Sequence, residues 1–498
     1  MKTPPRESLG SRLGFLLLSA GCAIGIGNVW RFPWLAGQYG GAWFVLVYLA
    51  CLVLLGMPVM TMEFSIGRAS QTSPVLSYQR LGHPRWRWHG WASLAGCTLL
   101  MMFYTTVAGW MLTYFWLSAR GAFSGLDVAA VGAKFEATLA SPAAQVVPMA
   151  LVVASCFAVL AVGLRGGLER VTKWMMLALL ALMVLLAARC ATLPGAGGGL
   201  RYFLVPDASS VAAHGGWAAL VREAMNQAFF TLSLGIGSMA IFGSYIGRDR
   251  ALAGEAARVT ALDTVVAFCA GLIVIPACFA YGVKPGAGPG LLFVSLPNVF
   301  GGMPGGRFWG SLFFVFLSFA ALSTVLTVCE NILACVRDLT GWSRPRTAAV
   351  CFVAVLLLSL PCALGFNLLS SFHPLGPDSG VLDLEDFLVS NLLLPVGALV
   401  YALFCSHRFG WGWRRFAHEA NCGRGLRVPD LDRRAFAEAE KALAAARGNA
   451  GSHGASFRLL LRLGGLCCGL AFRLYVAFVL PLVILAILVL GLWAKFSA

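Results

Sequence analysis

Apolar runs long enough to cross a bilayer recur along this chain, separated by short polar or basic stretches. A spanning helix needs roughly 20 apolar residues. On that length the pattern predicts eleven spans, at 13–37, 42–66, 91–119, 146–163, 168–188, 217–246, 259–283, 308–336, 347–366, 387–405 and 473–494. Two of them are interrupted. The first contains Gly21-Cys-Ala-Ile-Gly-Ile-Gly-Asn-Val-Trp-Arg-Phe-Pro33, and the sixth contains Thr231-Leu-Ser-Leu-Gly-Ile-Gly237. Glycine weakens a helix and proline removes a donor, so both spans are expected to break in mid-membrane. Freed backbone cannot face lipid and must be buried or line a polar cavity.

Five spans separate the two breaks. A five-span unit repeated places them in corresponding positions, and an odd unit length inverts the second copy. Paired interruptions in inverted halves point to a midplane site in a secondary transporter. The expected fold class is an all-α membrane protein with a five-plus-five inverted repeat and discontinuous helices 1 and 6. Its parts are an N-terminal segment (1–12), a first repeat (13–190), an outer loop (191–216), a second repeat (217–405), a basic loop (406–472) and a last span with the C-terminus (473–498). Within the basic loop Leu431–Arg447 is expected to be a solvated helix. Ser456–Phe472, apolar but bearing Arg458 and Arg462, is expected to lie on the membrane surface.

Composition agrees, with 59% hydrophobic and 12% charged residues. The net charge of +16 suggests nucleic acid until its distribution is read. With the N-terminus in the cytoplasm, 28 of the 37 lysines and arginines fall inside, 8 outside, and Arg31 within the membrane. This is the positive-inside bias. It predicts a multi-pass protein of the cell (inner) membrane with its C-terminus outside, in contact with anionic lipid and not with nucleic acid. The start of the chain shows no cleavable signal peptide, which needs small residues after its apolar stretch. The fifteen cysteines lie mostly in apolar runs without metal-ligand spacing and read as small buried hydrophobes. No nucleophile–base or metal constellation suggests an enzyme. A proton-coupled or exchange transporter of the same architecture, and an amino-acid sensor that does not transport, remain as alternatives.

Polar residues inside a membrane are costly and mark function by default. Asn28 lies at the first break, Thr231 and Ser233 at the second, Asp263 opens the seventh span, and Ser323 and Thr324 sit in the eighth. Hydroxyl, carboxamide and carbonyl oxygens suit a hard cation, and the scarcity of full charges favours a monovalent one.

These residues belong to a larger set: Arg12-Leu-Gly-Phe15, Gly25-Ile-Gly-Asn-Val-Trp-Arg-Phe-Pro33, Gly40-Gly41, Gly56-Met-Pro58, Glu63, Gly67-Arg68, Phe229-Phe-Thr-Leu-Ser-Leu-Gly235 and Leu322-Ser-Thr324. Together they resemble the neurotransmitter:sodium symporter family, closest to its bacterial amino-acid transporters of the LeuT-type fold. The resemblance covers the first ten spans. It implies a symporter with two sodium sites, no organic cofactor and an amino-acid substrate; oligomeric state is left open. Sodium site one would use the Ala23 carbonyl, Asn28, Thr231, Asp263 and the substrate carboxylate. Site two would use the Gly21, Ile24 and Ala320 carbonyls with Ser323 and Thr324. Chloride-dependent relatives have a neutral residue at the position of Asp263, so chloride is not expected. Monoamine carriers have an aspartate at the position of Gly25, where this chain leaves space for a carboxylate.

By the same resemblance Tyr104 would donate to that carboxylate and Phe230 would close over it. Ala23, Gly25, Gly27 and Thr231 would border the substrate, and Leu100, Ser233, Ile236, Val325 and Val328 would line its side-chain pocket. That lining is mostly apolar and favours a neutral, hydrophobic amino acid. Arg31 and Asp386, with Tyr104 and Phe230, would form the outer gate. Arg6 and Asp338, assisted by Ser244 and Tyr245, would form the inner one. Glu63 is expected to bond freed backbone donors. The chain departs from many relatives at Leu9, where they have tryptophan. It also has Leu177 ten residues after Gly167, where many bacterial relatives have proline.

Overall fold

The computed structural model describes residues 7–283, 289–377, 379–430 and 468–496. Arg6, the stretch 431–447 and most of 456–472 lie outside the described residues. Helices α1 (Arg12–Ala23) and α2 (Ile26–Gln38) meet at a bend of 63°. They are followed by α3 (Ala42–Ser70), α4 (Pro84–Ala119), α5 (Pro142–Val162) and α6 (Leu164–Ala191). Next come α7 (Gly216–Thr231) and α8 (Ser238–Gly243). Then follow α9 (Leu252–Ala280), α10 (Gly306–Thr340), α11 (Arg344–Leu364) and α12 (Val381–Ser406). Last are α13 (Trp413–Ala420) and α14 (Cys468–Trp493).

Among the described residues nine helices are long and apolar enough to cross a membrane, and the bent pair α1–α2 makes a tenth. The predicted span 217–246 is the difference from the expected eleven. It is split by six non-helical residues, 232–237, into α7 and α8. Where the described residues resume at Cys468 the chain is already helical, five residues before the predicted start of the last span.

Four helical segments contain a wide π-helical stretch: Leu52–Gly56, Leu291–Ser295, Phe387–Leu393 and Tyr475–Val479. Each ends two residues before a proline, Pro58, Pro297, Pro395 and Pro481. Proline has no N–H and its ring presses on the carbonyl four residues back, so the preceding turn widens. A fifth, Leu164–Glu169, opens α6 without a proline; it holds Gly166 and Gly167. From Arg170 onward α6 is regular through Leu177.

The core is built on α10, which packs along α4, with α11 against α5. The short α1 is enclosed by α6, α9 and α10. Helices α3 and α8 touch backbone to backbone. A side chain at Gly67 would strike the Ala240 carbonyl, and one at Gly243 would strike Phe64. Past α12, the α13 segment returns to α3, where buried Arg68 bonds the Glu419 carboxylate at 2.7 Å and the Arg250 carbonyl at 2.7 Å.

Candidate functional site

The site is assembled from the two breaks. In the first, Gly25 is extended and its N–H donates to Asn28 Oδ1 at 3.0 Å. The Ile26 N–H donates to the Tyr104 hydroxyl oxygen at 2.9 Å. The Tyr104 proton is therefore free to point elsewhere. A side chain at Gly25 would collide with that hydroxyl and with Thr324 Oγ1, and one at Gly27 with the Phe230 ring. In the second break the chain passes through Ser233 at φ +49°, Gly235 at +94° and Gly237 at +74°. Left-handed backbone favours glycine, which explains two of the three. Glu63 takes up the Gly235 N–H, as its place in the second span suggested. Gly235 lies so close to the Leu394 carbonyl that no Cβ fits.

Two clusters of oxygens flank these breaks. In one, the buried Asp263 carboxylate accepts from Asn28 Nδ2 at 2.8 Å and from Thr231 Oγ1 at 3.1 Å. Tyr48, which the sequence reading did not single out, donates to the same carboxylate at 3.4 Å. A phenol hydroxyl within a mostly apolar span was the available signal. In the other cluster, Thr324 Oγ1 lies 3.3 Å from the Gly21 carbonyl, 3.3 Å from that of Ile24 and 3.4 Å from that of Ala320. Ser323 Oγ lies 2.9 Å from the Ala320 carbonyl and 3.5 Å from that of Ile24. Oxygens on an octahedron of radius about 2.4 Å stand about 3.4 Å apart, the spacing a hard cation of calcium-like size imposes on its ligands.

Between the clusters lies a cavity whose walls include Ala23, Gly25, Gly27, Asn28, Tyr104 and Thr231. Phe230, Ser233, Leu100 and Thr324 complete most of the rest. No charged side chain lines it. Cys22 and Leu394 line it too, although the sequence reading did not include them. Ile236, Val325 and Val328 are buried but do not line it. Ile236 turns toward Gly96, and its carbonyl accepts from Asn331 at 3.4 Å.

The profile of the Sodium:neurotransmitter symporter family matches residues 6–125 and 133–373. The chain belongs to this family. It is 37% identical over 400 residues to the uncharacterized sodium-dependent transporter YhdH of Bacillus subtilis, covering 79% of this chain and 86% of that one. It is 25% identical over 425 residues to the sodium-dependent serotonin transporter of Drosophila melanogaster, covering 76% of this chain and 68% of that one. The crystal structure of MhsT in complex with L-phenylalanine superposes with a TM-score of 0.80 at 32% identity, over 97% of this chain and 99% of that one. As a member of the sodium:neurotransmitter symporter family the chain is a multi-pass membrane transporter that depends on sodium, and not an enzyme.

The charged gate residues Arg31, Asp386 and Asp338 do not line the cavity. Arg31 pairs with Glu223 at 3.6 Å and lies 5.4 Å from the Phe230 ring centre. The expected partner, Asp386, instead accepts from the Ser390 hydroxyl at 2.6 Å. Glu223 stands two turns before Thr231 on α7, so it shares the face that looks onto the breaks. At the other end, Asp338 accepts the Ser73 N–H at 2.7 Å, and the Ser244 hydroxyl donates to the Ile241 carbonyl at 2.6 Å. Tyr245 donates to Glu330 at 2.8 Å, and Glu330 is paired with Arg344. Arg344 and Arg337 both reach Glu7, at 3.2 and 2.7 Å. Glu7, Glu330, Arg337 and Arg344 were missed by sequence reading. Two of them, Glu330 and Arg337, share α10 with Asp338 and were readable as charges near the end of a span. Burial alone pushes the Glu7 carboxyl up, but the Arg337 bond and the charge of Arg344 outweigh it and hold it below the usual carboxylate range. Leu9, in place of the common tryptophan, donates its N–H to the Tyr245 carbonyl at 3.4 Å.

Proposed function

We propose that this protein is a sodium-coupled symporter that imports a neutral, hydrophobic amino acid by alternating access. The observation that carries the reading is the placement of one small uncharged cavity between two sets of hard oxygen ligands, with the first break contributing to all three. Sodium one would take the Ala23 carbonyl, Asn28, Thr231 and Asp263 together with the substrate carboxylate. Sodium two would take the Gly21, Ile24 and Ala320 carbonyls with Ser323 and Thr324. The substrate carboxylate would sit beside Gly25 and receive the Tyr104 proton, since that hydroxyl already accepts from Ile26. A ligand that completes an ion's shell binds tighter when the ion is present, and the reverse holds equally.

The apolar walls from Leu100, Phe230 and Leu394 support an uncharged side chain. The L-phenylalanine bound to MhsT, a relative of the same fold, supports an aromatic or large aliphatic one. Asp263 supports independence from chloride, because a fixed carboxylate stands where an anion would otherwise be needed. The broken pair α7–α8 supports an eleventh crossing and the five-plus-five inverted arrangement. The basic loops support a cytoplasmic N-terminus, a C-terminus outside and residence in the inner membrane.

The test is uptake of radiolabelled amino acids into proteoliposomes holding the purified protein. Accumulation should require an inward sodium gradient and persist when gluconate replaces chloride. Uptake unchanged by removing sodium at fixed pH would overturn the reading.

A further inference from the structure

One buried carboxyl has no part in either ion site. Glu385 lies near the start of α12 and is 3% exposed. Its helix neighbours Asp383 and Asp386 face a polar surface pocket, the outer mouth, that Ser379 and Asn391 also line. Asp383 caps the Gly380 N–H at 2.7 Å and Asp386 holds the Ser390 hydroxyl. Glu385 points the other way, into the seam where α12 meets α4 and α11. Both of its carboxyl oxygens are buried, and the side chain within reach of them is the Cys362 thiol of α11, a weak donor. The hydroxyl of Thr106 on α4 reaches the same thiol. The titratable groups around it are the buried Cys362 thiol of α11 and, from its own helix, Asp383. No lysine, arginine or histidine acts on it among the described residues.

An ionised carboxylate with no cation and only a thiol beside it in such a seam costs several kcal/mol, whereas the neutral acid costs far less. Burial and ionisation of Glu385 therefore exclude each other. The very next residue, Asp386, already faces the mouth, so a small outward shift of α12 would hydrate Glu385.

We propose that Glu385 is a proton-binding site on the outer side of the transporter, occupied when the outer mouth is closed and emptied when it opens. On opening, the carboxyl O–H breaks, its electron pair stays on the carboxylate and the proton passes to external water. Closing takes a proton back. External alkalinity thus favours the open mouth, and external acidity the closed one. The assignment of this end to the outside rests on the reading under Proposed function.

The experiment reads the mouth directly. Asn391→Cys protein in proteoliposomes is treated with a membrane-impermeant thiol reagent at external pH 6 to 9, with the unsubstituted protein as background. The labelling rate, corrected for the reagent's own pH dependence on a free thiol, should rise with pH, by at most about tenfold per unit, the limit for one linked proton. Added Glu385→Gln, or Glu385→Met should the first fold poorly, should abolish the rise and keep labelling low. Added His373→Gln, which removes the nearest histidine of the same outer segment, should leave the rise in place. Labelling flat with pH in the starting protein overturns the proposal, as does a rise that survives loss of Glu385. Labelling needs neither sodium nor substrate, so failure of the transport reading is measured separately.

Discussion

At the scale of single residues, Asp263 and Gly25 carry the sharpest consequences. Asp263 is buried and accepts from Asn28, Thr231 and Tyr48. In Asp263→Asn, uptake should become dependent on chloride. Its sodium affinity in gluconate should fall at least about tenfold, equivalent to 1.4 kcal/mol, and recover in part when chloride is restored. The same sodium titration in both anions checks this. Gly25→Ala places a methyl group against the Tyr104 hydroxyl and Thr324 Oγ1. It should abolish substrate-induced thermal stabilisation while leaving the melting temperature of the substrate-free protein within a few degrees. Glu7 provides a pH prediction. Its carboxyl is held below the usual value of 4.5, so the ionised form is favoured in the folded protein. Its stabilising contribution is complete above pH 4.5 and is lost as pH falls through its own lowered value. Limited proteolysis of the N-terminal segment should accelerate over that acid range, and Glu7→Gln should show the faster cleavage already at pH 7.

At the scale of elements, the breaks are held open by side chains that satisfy freed backbone. Glu63→Ala leaves the Gly235 N–H buried and unpaired, a cost of about 1–3 kcal/mol. Glu63→Gln keeps an acceptor and should cost less; melting of both variants in detergent gives the order. Much of this element was legible. Glycines and polar residues in two otherwise apolar spans announced both breaks, and Thr231, Asp263, Ser323 and Thr324 fell where the oxygen clusters form. The cavity wall was less legible. Ile236 was aligned as a pocket residue, but left-handed turns at Ser233 and Gly235 set the register after the break, and no helical periodicity reads through them. Leu394 was missed because its approach depends on Gly235 and Gly397 meeting backbone to backbone, a contact between spans far apart in sequence. The resemblance pairs Arg31 with Asp386; in this conformation the packing of α2 against α7 puts Glu223 beside Arg31 instead, a neighbour that only the fold reveals.

At the scale of the whole molecule, the end bearing Glu7 is closed by a network that joins the N-terminal segment, Tyr245 beyond α8, Glu330 on α10 and Arg344 on α11. Arg344→Met strands buried Glu330 and should destabilise the closed form by about 3–5 kcal/mol, while adding Glu330→Met should recover most of that. Protection of the N-terminal segment from hydrogen exchange should fall in the single variant and return in the double. Opening of that end must also move α8, and α8 is not free to move alone. Gly67 and Gly243 bring it into backbone contact with α3, and Arg68 ties the same corner to Glu419. The two helices form one girder. Under the proposed alternating access, a restraint placed anywhere on α3 would therefore hold α8 as well, and would slow opening of that end without touching substrate or ions.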